Sequence, residues 1–191
     1  AYDIRLSLVG SEMCIRDSDV ITCITRKQTP VILTRFKEHA KFLYDALKGK
    51  ADHVFLVYGD NSDKENTEIR GRLKQVPGSE SLVLVATGQK IGEGFDFPRL
   101  DVLMLAAPVS FEGRLEQYVG RLNRDYVGKE AVYVYDYIDS HVRYFDKMYA
   151  KRLRTYRKTG FSIWTQELQP KQIINAIFDS VNSVSYTHLT L

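Results

Sequence analysis

The chain has 191 residues, 44% apolar and 27% charged, a balance that excludes a disordered chain and fits a globular one. Its longest apolar run, "VLMLAAPV" at 102–109, falls well short of the roughly 20 residues of a membrane-spanning helix. The net charge of +3 conceals an asymmetry, because residues 141–158 hold seven Lys or Arg against one Asp.

In chain order, "VILT" (31–34) reads as a first strand. "FKEHAKFLYDALK" follows as a helix, with Phe36, Ala40, Leu43 and Leu47 on one face. "HVFLVY" (53–58) is a second strand ending in the turn cluster "GDNSD", and "KENTEIRGRLKQV" is a polar surface helix. "SLVLVAT" (81–87) and "DVLMLAAP" (101–108) are the third and fourth strands. "EGRLEQYVGRLNR" (112–124) is helical, and "AVYVYDYI" (131–138) is the fifth strand. A long basic helix, "FSIW" and a short helix "PKQIINAIFDSV" come last. Short apolar strands alternating with helices imply an α/β fold, a doubly wound parallel sheet covered on both faces. Ligands on such sheets bind at the carboxyl ends of the strands.

The two ends of the chain are related through the genetic code. "SEMCIRD" (11–17) can be encoded so that its reverse complement reads "VSYTHLT" (184–190). This inverted repeat resembles translated transposon-type sequencing adapter. On that reading residues 1–18 and 183–191 lie outside the natural fragment, and trimming them costs no stability. About 164 residues then remain, enough for one domain with a core. Cys14 falls in the suspected adapter, so Cys23 stands alone, and a reducing, cytoplasmic compartment is expected.

Two segments carry chemistry. In "QYVGRLNR" (117–124), helical spacing places Gln117, Arg121 and Arg124 on one side and Leu115, Val119 and Leu122 on the other. Guanidiniums suit planar, multidentate recognition of phosphate, while the same spacing also fits an ordinary amphipathic helix with a solvated polar stripe. In "VATGQKIGEGFDFPRLD", Gly88, Gly92 and Gly94 follow a strand directly, where a backbone can approach a ligand closely; Thr87 adds a hydroxyl and Asp96 a carboxylate. On the basic helix Lys147, Lys151, Arg154 and Lys158 share one face. That face is either a phosphate-tracking surface or simply a solvated one.

"VILTR", "VATGQKIGEGFDFPRLD" and "QYVGRLNR", in this order, resemble motifs IV, V and VI of superfamily 2 helicases, the ATP-driven motors that move on DNA or RNA. With "VYVYDYID", the pattern is most similar to the DEAD/DEAH-type branch related to restriction and phage-defence enzymes. The resemblance spans roughly residues 28–155. It implies a RecA-like helicase C-terminal domain over 19–140 and a helical extension over 141–182. It further implies that Arg121 and Arg124 are arginine fingers reaching ATP from across an interdomain cleft. Gln117, Gly94 and Asp96 would face the nucleotide. Thr87, Gly88 and Arg35, with Lys147, Lys151 and Arg154, would face DNA or RNA. Asn123 departs from the Gly or His common before the last motif VI arginine. Neither a GxxxxGK[ST] loop nor an acidic Mg²⁺ motif is present, so the Mg²⁺ ligands are expected on a missing N-terminal RecA-like domain. The other readings are a non-catalytic nucleic-acid-binding module on a Rossmann-like sheet and a nucleotide-sugar transferase half-domain.

Overall fold

A computed structural model describes residues 2–8, 17–59, 61–88, 96–106, 112–138 and 143–167. The five expected strands form β2 (Pro30–Thr34), β3 (His53–Val57), β4 (Leu82–Thr87), β5 (Val102–Leu105) and β6 (Val132–Ile138). All pair in parallel, in the order β3-β4-β2-β5-β6. Two more parallel strands continue the sheet past β6: β1 (Tyr2–Leu8), then β7 (Ser162–Glu167).

Alternate strand residues feed two cores, as two-sided burial requires. Leu82, Leu84 and Ala86 of β4 face one core; Val83 and Val85 face the other. The second core is closed by α1 (Asp17–Thr25) and α2 (Lys37–Leu47), through Val20, Cys23, Ala40, Leu43 and Leu47. The first is closed by α3 (Asp63–Gln75), α4 (Glu112–Leu122) and α5 (Arg143–Lys158), through Leu73, Leu115, Tyr118, Val119, Leu122 and Tyr156. The sheet is therefore doubly wound. Burial pushes the Cys23 thiol up to about 11, which leaves it a packing group.

Local signals set two of the helix boundaries. Ser62 caps α3 in a reciprocal pair with Glu65, each side chain meeting the other's backbone N–H. Gly160, at φ +80°, ends α5, and the Phe161 N–H closes the turn onto the Tyr156 carbonyl at 3.0 Å. One assignment changes. Ala40, Leu43 and Leu47 are buried as the helical pattern requires, but Phe36 is 63% exposed. It precedes the helix as its N-cap, in extended conformation, and so never joins the buried face.

The segments read as adapter meet the structure unevenly. Tyr2–Leu8 occupies a strand between β6 and β7, and residue 18 lies inside α1. The rest of the expected 141–182 extension contains α5 and β7, and "PKQIINAIFDSV" lies outside the described residues. The adapter reading expects trimming residues 1–16 to leave the thermal midpoint unchanged, whereas loss of a strand bonded to both β6 and β7 should lower it. A fall of several degrees in a melting curve would show that β1 contributes selected packing.

Candidate nucleotide and nucleic-acid site

The carboxyl edge of the sheet frames the site. β2 and β4 are neighbours whose connections leave in opposite directions, β2 outward to β3 and β4 across β2 to β5. Such a reversal opens a crevice beyond the strand ends. Register decides what stands there. Thr34 is the Cα partner of Thr87, so Arg35 and Gly88 leave the sheet side by side. Val57 pairs with Ala86, which brings Tyr58 beside Thr87. Thr87 is buried at the strand end, Gly88 is half-buried and Arg35 is exposed.

Helix α4 lies against this edge. Leu115, Val119 and Leu122 are buried, Gln117 is exposed and Arg121 is half-buried. Arg124 is not on the helix. The Asn123 N–H still reaches the Val119 carbonyl at 3.0 Å, but the Arg124 N–H meets only the Arg121 carbonyl, at 3.5 Å. The shared helical face therefore holds for Gln117 and Arg121 and fails for Arg124. Past the helix end Arg124 turns instead to Asp96, with Nη1 2.5 Å from Oδ2 and both side chains about half exposed (53% and 51%). Gly92 and Gly94 lie outside the described residues.

Two contacts that the sequence did not announce join these segments. Tyr118, on the buried side of α4, donates its hydroxyl hydrogen bond to the Gly88 carbonyl. A Cβ built on Gly88 would stand 2.8 Å from the Tyr118 hydroxyl oxygen, so a side chain here would push that hydroxyl off its bond. Lys129 donates to the carbonyls of Pro98 (2.9 Å) and Arg124 (3.0 Å). Arg124 is thus held by its side chain through Asp96 and by its backbone through Lys129.

The "RLD" end of the glycine-rich segment is architectural. Arg99 donates to the carbonyls of Val76, Pro77 and Glu80. Asp101 accepts the Thr29 N–H at 2.6 Å, and burial pushes its carboxyl up from an ordinary 3.8 to about 6. A folded value above the unfolded one favours the protonated form. The contribution is complete below about pH 4 and is lost as pH rises through about 6. Asp101→Asn should remove a fall of up to about 3 kcal/mol across that window, at about 1.36 kcal/mol per unit. Urea midpoints of both proteins at about pH 4 and pH 7 read the difference. A pH-independent difference would mean that neighbouring charges fully compensate the carboxylate.

On α5, Lys147, Lys151, Arg154 and Lys158 are all exposed, whereas Met148, Arg152, Thr155 and Tyr156 are buried. Lys158 pairs with Glu116 of α4 at 3.1 Å, which joins the two helices at the surface. Among the described residues no group of three or more His, Cys, Asp or Glu could hold a metal, and no helix is long and apolar enough to cross a membrane.

No protein-family model matches the chain. It is 29% identical over 99 residues to transcript termination protein A18 of Yaba-like disease virus, covering 52% of the chain and 20% of that protein. Against 161L of invertebrate iridescent virus 6, a helicase by name, it is 41% identical over 80 residues, covering 41% of the chain and 16% of that protein. With A18 of vaccinia virus (strain Ankara) the match is 23% over 170 residues, covering 80% of the chain and 34% of that protein. The chain therefore spans about a third or less of the curated relatives it matches.

Among solved structures, the chain superposes on the C-terminal domain of the DEAD-box protein Dbp5 with a TM-score of 0.60 at 12% identity, covering 95% of this chain and 97% of that one. The fold is that of a RecA-like helicase C-terminal domain. Domain 2 of the DEAD-box helicase Mss116p, bound to an RNA duplex, matches this RecA-like domain at a TM-score of 0.63 and 18% identity, covering 95% of this chain and 75% of that one. T4 UvsW matches it at 0.63 and 18% identity, covering 87% of this chain but 42% of UvsW.

Proposed function

We propose that this RecA-like domain is the second motor domain of an ATP-dependent helicase or translocase acting on DNA or RNA. The observation that carries the reading is the direct bonding between its two functional segments. Asp96 binds Arg124, and Gly88 binds Tyr118 of the helix that presents Gln117 and Arg121. A strand-end loop suited to a nucleic-acid backbone is thereby tied to a helix suited to a nucleotide. Hydrolysis of a bound ATP would supply the energy for movement along the strand. The chain's own groups fit the phosphate side of that nucleotide, because guanidiniums and an amide stabilise developing oxyanion charge. Ligands for Mg²⁺ are assigned on this reading to the first RecA-like domain of a longer polypeptide.

Thr87, Gly88 and Arg35 are proposed to meet the nucleic-acid backbone at the strand ends, and Lys147, Lys151 and Arg154 to extend that contact along α5. The isolated chain is expected to bind single-stranded nucleic acid with marked salt dependence and to hydrolyse no ATP. Neutralising the three α5 cations together should weaken binding and flatten its salt dependence by about 0.7–0.9 slope unit per phosphate contact removed. Nucleic-acid-stimulated ATP turnover by the chain alone would overturn the half-site reading.

A further inference from the structure

Phe36 breaks two local rules at once. A helix N-cap ordinarily carries Ser, Thr, Asn or Asp, whose side chain satisfies a free N–H of the first turn. Phe36 is the N-cap of α2, at φ −105° and ψ 135°, and makes no side-chain cap bond. A phenyl ring ordinarily gains stability by burial, yet this one is 63% exposed. The position thus forgoes both a side-chain cap and full burial, and such conflicts between local and global rules concentrate at functional sites.

Its surroundings suggest the ligand. Phe36 stands at the carboxyl edge, one residue beyond Arg35, which leaves the sheet beside Gly88. The Arg35 guanidinium lies 5.9 Å from the centre of the Phe36 ring. On the other side of β4, Tyr58 follows β3 beside Thr87, with the ammonium groups of Lys37 and Lys41 at 5.0 and 6.0 Å from its ring centre. The Thr87–Gly88 strand end therefore has Arg35 on one side and Tyr58 on the other, each in contact of cation with aromatic ring. Aromatic faces interleaved with positive charge are how sequence-independent single-strand binders hold bases and backbone together.

We propose that Phe36 is a stacking platform for a nucleobase of single-stranded nucleic acid, with Arg35 holding the adjoining phosphate. The inference rests on the nucleic-acid reading above and adds a base contact to it. It predicts opposite signs for stability and binding at one residue. Phe36→Asn supplies the missing cap, so the thermal midpoint should hold or rise. The same change should weaken binding of the full chain to labelled single-stranded DNA or RNA of about 12 nucleotides by about 5- to 150-fold, the effect of losing one stacked base. The salt slope should stay unchanged in Phe36→Asn and fall in Arg35→Gln. Phe36→Trp should keep affinity. An abasic strand of equal length should bind the wild type more weakly and not distinguish it from Phe36→Asn.

The outcomes separate the two claims. If the wild-type chain binds neither strand, the nucleic-acid reading fails and the stacking platform with it. If it binds, and Phe36→Asn binds equally well or weakens intact and abasic strands alike, the platform is wrong and the nucleic-acid reading stands.

Discussion

On the proposed motor role, Arg121→Ala in the chain joined to a first RecA-like domain is expected to lower kcat by about 10³-fold or more, the effect of removing an arginine finger in other phosphoryl-transfer enzymes. Arg121 is half-buried on α4, four residues after Gln117, so the helix itself fixes its direction. A group acting only on charge that develops in the transition state lowers kcat and kcat/KM together and leaves KM nearly unchanged. Nucleic-acid affinity without nucleotide should also be unaffected. Arg121→Lys should rescue little, because the charge remains but the planar fork is lost. Arg124→Ala should differ. Arg124 already bonds Asp96 and is held by Lys129, so its removal also releases the end of the glycine-rich loop. Both kcat and the response to nucleic acid should fall, and Asp96→Asn should reproduce the second effect alone. Arginine variants that lose nucleic-acid binding and keep their ATPase rate would favour the non-catalytic binding module.

How legible the domain was in its sequence depended on distance along the chain. The strands of the central sheet were readable because two-sided burial demands nearly unbroken apolar runs, and "LVLVAT" is buried at every position. Helix faces were readable where spacing alone decides them, as at Leu115, Val119 and Leu122. Two helix ends were not. A helical wheel assumes that the helix continues, and it fails at Phe36, which precedes α2, and at Arg124, which follows α4. Partners remote in sequence were invisible too. Nothing near Tyr118 announces that its hydroxyl meets Gly88, thirty positions earlier, since its spacing reads simply as core. Asp101 binds Thr29 across 72 positions on the same terms. Net charge misled in one particular: the basic segment counts Arg152 among its cations, but that guanidinium is buried and neutralised and adds nothing to the surface field.

Arg152 is also where the largest loss of stability is expected. Its guanidinium grips Asp136 of β6 with two bonds, Nε to Oδ2 at 2.7 Å and Nη2 to Oδ1 at 2.9 Å. The Tyr156 hydroxyl adds a third bond to Oδ2 at 2.9 Å. The side chains are 4% and 1% exposed, so the pair has given up its water and depends on these bonds. Arg152→Met fills similar space but strands a buried carboxylate with one remaining donor, which should cost about 3–5 kcal/mol. Adding Asp136→Asn should recover much of that loss, because the amide has no charge and its oxygen still accepts from Tyr156. Urea unfolding of the two single variants and the double variant, as a cycle, measures the coupling directly. Additive effects would mean that the charges are separately solvated and do not hold α5 to the sheet. The pair also has a functional consequence. Lys147, Lys151 and Arg154 occupy the exposed side of the helix whose buried side Arg152 fixes. At temperatures where Arg152→Met remains folded, its nucleic-acid binding should therefore weaken although no exposed charge has been removed, and the Asp136→Asn companion change should restore it.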